Sequence, residues 1–183
     1  SWLPDPIGGI LWFGVDDTYS TVYSPMYCGI TDVPESFAQG NGSMMEFSDD
    51  AAFWVFNQVS NFAYTRYNVM IPEIQKKQSE LENYYITMTG SVDKTAKELF
   101  EKDERESRAF LTDFSKSTGN NTVLEWKKLY HHLFTRFMDG NIKEKVEGEM
   151  NPKYDQPGYG EEWYRQLIKE TGDKFRYAGE ASH

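Results

Sequence analysis

The sequence predicts an α+β chain, a short N-terminal β-hairpin followed by a mainly helical layer, with residues 1–47 as strands and loop and 48–183 mainly helical. Three observations carry this. Gly9 to Val15 is a nearly continuous apolar run, the pattern of a strand covered on both faces. Thr21 to Ile30 returns with alternation, Val22, Met26 and Cys28 on one face and Tyr23 and Tyr27 on the other. From Ser48 onward, apolar residues recur at helical spacing.

The elements follow in order. Asp16 to Ser20 is a turn between the strands, and Pro25, which has no N–H to donate, marks its strand as an edge or a bulge. Val33 to Phe47, with Pro34, Gly40 and Gly42, is loop. Ser48 is placed as an N-cap, with Asp49 and Asp50 suiting the positive end of a helix. Phe53, Phe56, Phe62 and Tyr67 give that helix apolar character on most sides, which predicts deep burial. Pro72 is expected to kink or interrupt it. Ile74, Leu81, Tyr84 or Tyr85, and Met88 continue a helical stripe to Gly90, and Ser91 opens another with Val92, Ala96, Leu99 and Phe100. A short helix over Glu104 to Phe114 comes next. Thr122 and Glu125 form a capping box before a helix whose Trp126, Leu129, Leu133 and Phe137 share one buried face, stopped by Gly140. Asn141 to Tyr159 reads as a polar surface loop, and Glu161 to Thr171 as a last helix ending at Gly172.

The 183 residues suffice for one domain with a real core. A net charge of −10 argues against a nucleic-acid partner, because phosphate binding needs a basic face. The acidity is concentrated early: residues 1–90 hold 11 acidic and 3 basic side chains. A single cysteine excludes an internal disulfide framework. No stretch approaches the roughly 18 apolar residues of a membrane span, so no membrane partner is expected. The sequence leaves the compartment open. A two-stranded hairpin is marginal in water alone, so a doubly covered strand wants more sheet than these residues supply. Missing strands, or self-association of that edge, would provide it.

Several residues invite a chemical reading. Cys28 is the one thiol, but it has no histidine within a hundred residues to activate it, and a small buried apolar thiol is expected. His131 and His132 are adjacent on a helix and point about 100° apart, which does not make a metal clamp. Asp16 and Asp17 sit at a strand end, where loop residues reach sites. Asn57, Asn61 and Arg66 punctuate the first helix, and an amide there can donate to an oxyanion. These five are the candidate pocket-lining residues. No residue is assigned as catalytic, cofactor-binding or metal-ligating.

The opening Trp2-Leu3-Pro4, Gly8-Gly9 and Trp12-Phe13-Gly14-Val15-Asp16-Asp17 form a recognisable pattern. Pro34-Glu35-Ser36-Phe37, Ala52-Phe53-Trp54, Asn61 to Tyr67, Ile71 to Gln75, Phe110 to Asp113, Phe137 to Asn141 and Gln156 to Tyr159 extend it. Together these blocks resemble the C-terminal region of the dipeptidase A (secernin-related) family of N-terminal-nucleophile cysteine peptidases. The resemblance implies an αββα hydrolase fold and hydrolysis of dipeptides or short peptides through an acyl-enzyme, without metal or cofactor. The family nucleophile is a cysteine at the mature N-terminus, and nothing here matches it. The implied partner is therefore the missing N-terminal half of the same chain, and the chain alone is expected to be inactive. A non-catalytic helical interaction domain and a related acyl-amide hydrolase stand as alternatives.

Overall fold

The computed structural model describes residues 3–176. Ser1, Trp2 and His183, named above or at the chain ends, lie outside them. The protein is α+β, mainly helical with two small antiparallel sheets among the described residues. It divides into two compact units, residues 1–135 and 136–183.

The first unit is built on two long helices. β1 (Ile10–Phe13) pairs antiparallel with β2 (Ser24–Tyr27), Trp12 facing Pro25. α1 spans Ala52–Tyr64, α2 Tyr67–Phe100 and α3 Glu104–Phe137. α2 and α3 each run 34 residues, about 50 Å at 1.5 Å per residue. They are joined by a three-residue turn in which the Asp103 carboxylate accepts the Arg105 N–H at 2.8 Å, capping α3. Pairing of α2 with α3 is antiparallel along its length. Ser107 donates to the Ala96 carbonyl near the turn, Tyr85 meets Thr118 and Thr122 midway, and Lys77 meets Glu125 further on.

The hairpin packs toward the turn. Ile7, Tyr27, Val92, Ala96 and Leu111 form one buried cluster, with Ile10, Ile30 and Phe114 against it. α1 covers the other half of α3: Phe56 stacks on Trp126 at 5.2 Å, and Phe62 meets Tyr130 and Phe134. Trp126, Leu129, Leu133 and Phe137 are all buried, as their spacing predicts.

A hydroxyl seam lies between β2, α2 and α3. Ser24 and Thr122 are 2.8 Å apart, Thr122 is 2.7 Å from the Tyr85 hydroxyl, and the Tyr27 amide donates to Ser115. All five residues are buried. Each hydroxyl is satisfied, so the seam avoids the cost of a buried polar orphan.

Several expectations are corrected. β1 is not covered on both faces: Leu11 and Phe13 are 57 % and 40 % exposed, while Ile10 and Trp12 are half-buried. β2 does not alternate, because all four of its residues are buried between the hairpin and the helices. Ser48 does not cap α1. The helix starts at Ala52 behind Ala51, and the Ser48 hydroxyl accepts the Asp50 N–H in the turn before it. α1 buries one face, Val55, Phe56, Val59 and Ala63, and leaves Phe53 exposed. Pro72 does not break the chain's helical course. The break falls at Thr65 and Arg66, and Pro72 sits early in α2. Of the two tyrosines, Tyr85 is buried and Tyr84 is exposed.

Gly90 does not stop α2, which runs on through Ser91. It is exposed, and nothing would meet a methyl group there within 4 Å. Gly90→Ala is therefore expected to raise stability by about 0.5–1 kcal/mol, the helix-propensity difference. Urea denaturation would check it, and a loss of stability would show that Gly90 is needed for local bending.

The short helix at Glu104–Phe114 and the Thr122 capping box are likewise replaced by one helix. Thr122 donates to the Thr118 carbonyl at 2.8 Å, four residues back, instead of capping a new start. Gly119 lets Pro34 and Met26 approach α3 closely here. A Cβ at Gly119 would come within 2.5 Å of Pro34 Cγ and 3.2 Å of Met26 Cε.

In the second unit, α3 ends at Phe137 and a turn over Met138–Gly140 follows, with Gly140 at φ 72° as the expected stop. The expected loop carries a small hairpin: β3 (Ile142–Glu144) pairs with β4 (Lys153–Asp155). Its strands are three residues each and polar, which hid them from the period-two signal. α4 spans Glu161–Thr171 and ends at Gly172, as read from the sequence. Tyr159 stacks on Trp163 at 4.2 Å before its first turn.

Candidate functional site

β1 delivers its following residues to the flank of α1. After Phe13 the chain turns back, with the Val15 amide on Thr21 Oγ1 and the Ser20 amide on the Asp17 carbonyl. Asp16 takes the left-handed conformation at φ 68°, which a short polar side chain tolerates better than most. The turn thus presents two carboxylates side by side.

Ser60 and Tyr64, four residues apart and so on one face of α1, receive them. The Ser60 hydroxyl donates to Asp16 Oδ2. The Tyr64 hydroxyl donates to Asp17 Oδ2 at 2.7 Å, and the Tyr19 amide donates to Asp17 Oδ1 at 3.0 Å. The Tyr64 hydrogen bond first, and the Tyr19 amide second, hold the Asp17 carboxyl below its usual range. The same bond to Asp17 pushes the Tyr64 phenol up to about 12. Asp17 is thus a fixed acceptor, and Tyr64 a fixed donor, across the neutral range.

Asn57 and Asn61 turn back onto their own helix. Asn57 Nδ2 donates to the Phe53 carbonyl at 2.8 Å, and Asn61 Nδ2 to the Asn57 carbonyl at 2.9 Å. Asn61 Nδ2 also lies 3.5 Å from Ser60 Oγ, which joins both amides to the Asp16 contact. Arg66 is the joint between α1 and α2, its amide on the Ala63 carbonyl and its carbonyl accepting the Val69 amide. The structure therefore gathers Asp16, Asp17, Asn57 and Asn61 around Ser60 and Tyr64, with Arg66 two residues beyond. Sequence reasoning missed Ser60 and Tyr64. Their one signal was the four-residue spacing from each other along a helix facing a turn of carboxylates.

Beside this network lies a cleft of about 350 Å³. Phe13 and Val15 from the end of β1, Phe37, Met44, Phe53 and Trp54 give it apolar walls. Trp54 Nε1 donates to the Ser43 and Glu46 carbonyls, pinning the tight turn that carries Met44 and Met45. Val15 lines the cleft and is followed directly by Asp16, so the carboxylate turn begins at its wall. Mostly apolar walls with a few polar groups at the edge are what a small-ligand site has.

A second cleft, of about 430 Å³, is polar, and its charges are paired. Lys127 meets Asp50 at 3.0 Å, and Lys116 meets Asp32 at 2.6 Å and Glu35 at 2.8 Å. Lys116 first, then Asn120, hold Glu35 down at about 2. These pairs clamp the loop after β2 onto α3.

Cys28 is exposed, which corrects the expectation of a buried thiol. β2 ends at Tyr27, and the next residue turns outward beside Gly9, whose added Cβ would stand 3.2 Å from Cys28 Sγ. His132 Nε2 lies 2.6 Å from Glu73 Oε2, tying α3 to α2, while His131 rests beside Tyr130. Among the described residues no group of three or more His, Cys, Asp or Glu side chains is placed to hold a metal ion.

The fold and this network define an α+β protein with a carboxylate–hydroxyl site beside an apolar cleft, and with no thiol placed to act in it. Over residues 1–80 the chain carries the signature of peptidase family C69, in accord with its resemblance to the dipeptidase A family of cysteine peptidases. The matched stretch holds β1, β2, α1 and all five candidate residues. No curated protein matches the chain.

Proposed function

We propose that this chain is the C-terminal part of a cysteine dipeptidase whose nucleophile lies on a segment N-terminal to it. The observation that carries the reading is the match of residues 1–80 to peptidase family C69, which supports a peptidase function. In the complete enzyme a thiolate attacks the peptide carbonyl, expels the amine and leaves an acyl-enzyme that water releases. This chain contributes binding. The apolar cleft takes a substrate side chain, and the Asp16–Asp17 turn at its wall offers carboxylate oxygens to the free ammonium of a dipeptide.

The experiment follows release of free amino acids from a dipeptide panel. The 183-residue chain alone is expected to give no turnover, and co-expression with the segment encoded upstream of Ser1 is expected to restore it. Turnover by the chain alone, or none with that segment present, overturns the reading. Turnover that is lost in Cys28→Ser would identify the exposed thiol as a nucleophile instead.

A further inference from the structure

The apolar cleft and the carboxylate turn share one stripe of α1. Phe53, Asn57, Ser60 and Tyr64 follow at intervals of four, three and four residues, the helical period. Phe53 lines the cleft, while Ser60 and Tyr64 hold the two carboxylates. Phe53 and Ser60 are seven residues apart, about 10 Å along the axis. The carboxylates are not equivalent. Asp17 has both oxygens engaged, Oδ1 by the Tyr19 amide and Oδ2 by the Tyr64 hydroxyl. Asp16 is exposed and engages Oδ2 alone, with Ser60, so its Oδ1 is open to a ligand. The cleft offers the opposite chemistry. No charged side chain lines it. Phe13 packs edge-on to Phe37 at 5.8 Å, and Phe53 to Trp54 at 5.3 Å. Trp54 gives its N–H to the Ser43 and Glu46 carbonyls, and Asn41 gives its amide to the Glu35 and Asp50 carbonyls. The walls hold no counter-ion, so a charged side chain entering them would lose its hydration without compensation.

We propose that this site selects the first residue of the substrate, with its ammonium on Asp16 and its side chain, large and uncharged as in phenylalanine or leucine, in the cleft. The proposal deepens the peptidase reading and rests on it for the substrate being a dipeptide. An α-ammonium and an apolar side chain share one Cα only at a free N-terminus. That favours a small peptide over a covering segment of the same chain, whose internal residues carry no α-ammonium. The span along α1 sets the size, because an alanine or glycine held at Asp16 ends short of the aromatic walls. The substrate's own carboxylate is turned away from Asp16 and Asp17 by like charge.

Nuclear magnetic resonance of the 183-residue chain reads this pocket without turnover. Phe-Ala and Leu-Ala are expected to shift the Trp54 indole resonance and to bind about tenfold or more tighter than Lys-Ala, Glu-Ala or Ala-Ala. Ala-Phe and N-acetylated Phe-Ala are expected to bind as weakly as Ala-Ala. Equal affinity for Phe-Ala and Lys-Ala, or no shift with either, overturns the proposal. Met44 lines the cleft and is 74 % exposed, so it can be changed without opening the core. In the co-expressed enzyme, Met44→Glu is expected to lower the ratio of kcat/KM for Phe-Ala over Lys-Ala about tenfold or more, through KM. An unchanged ratio overturns the proposal. So does failure of the two pieces to co-purify in Met44→Glu, which would make the cleft a seat for the missing segment. Selective binding without turnover keeps the pocket and removes the peptidase reading, whereas turnover with equal kcat/KM for Phe-Ala and Lys-Ala does the reverse.

Discussion

Trp126→Ala is expected to cost about 3–5 kcal/mol, the range for removing a large buried aromatic side chain. Trp126 is fully buried on α3 and stacked on Phe56 with an interplanar angle of 17°. It joins α1 to the long helix pair, so the cavity would open between two elements. Its indole N–H has no hydrogen-bond partner among the described residues. A buried orphan donor is itself unfavourable, so Trp126→Phe, which keeps a ring and removes the donor, is expected to cost clearly less. Chemical denaturation of both variants checks this. Equal losses would mean that the N–H, and not the ring, anchors the site.

Gly119→Leu is expected to cost on the order of 1–3 kcal/mol or more, as overpacking does. Helix propensity alone would favour leucine over glycine in mid-helix. Here packing reverses the sign. The first added carbon would stand 2.5 Å from Pro34 Cγ, part of a ring that cannot rotate away. Either the loop after β2 lifts from α3, or the helix bends. A melting temperature unchanged by Gly119→Leu would show that this loop is not seated on α3. The contrast with Gly90 is the point: both glycines lie inside 34-residue helices, and only one has a neighbour.

That contrast also shows where the sequence was legible. The strongly periodic stretches were read well: Trp126 to Phe137 and Glu161 to Thr171 fall where the spacing put them. Ser115 to Thr122 was not, because Ser, Thr, Gly and Asn compete for the backbone and usually mark caps and loops. In α3 their hydroxyls are engaged by Ser24, Tyr27 and Tyr85, so tertiary contacts hold a helix where local preference would end one. Pro72 misled for a related reason. Early in a helix it removes one hydrogen bond, and with Met70 and Ile74 buried on either side α2 continues through it without interruption. Of the site, Asp16 and Asp17 could be named from their place at a strand end. Ser60 and Tyr64 could not, since they lie 44 and 47 residues from their partners. Cys28 was misplaced because its strand ends one residue before it.

The hydroxyl seam has a consequence for how the protein is made. Ser24 waits for Thr122, 98 residues later, and Tyr27 for Ser115, 88 residues later. Synthesis proceeds at about 5–20 residues per second, so the interval is roughly 5–20 s. Throughout it, the newborn β1–β2 segment has no α3 to sit on. The stretch that matches the family model is translated before the helix that β2 packs on. During that delay its uncharged strand is open to whatever polypeptide or chaperone reaches it first.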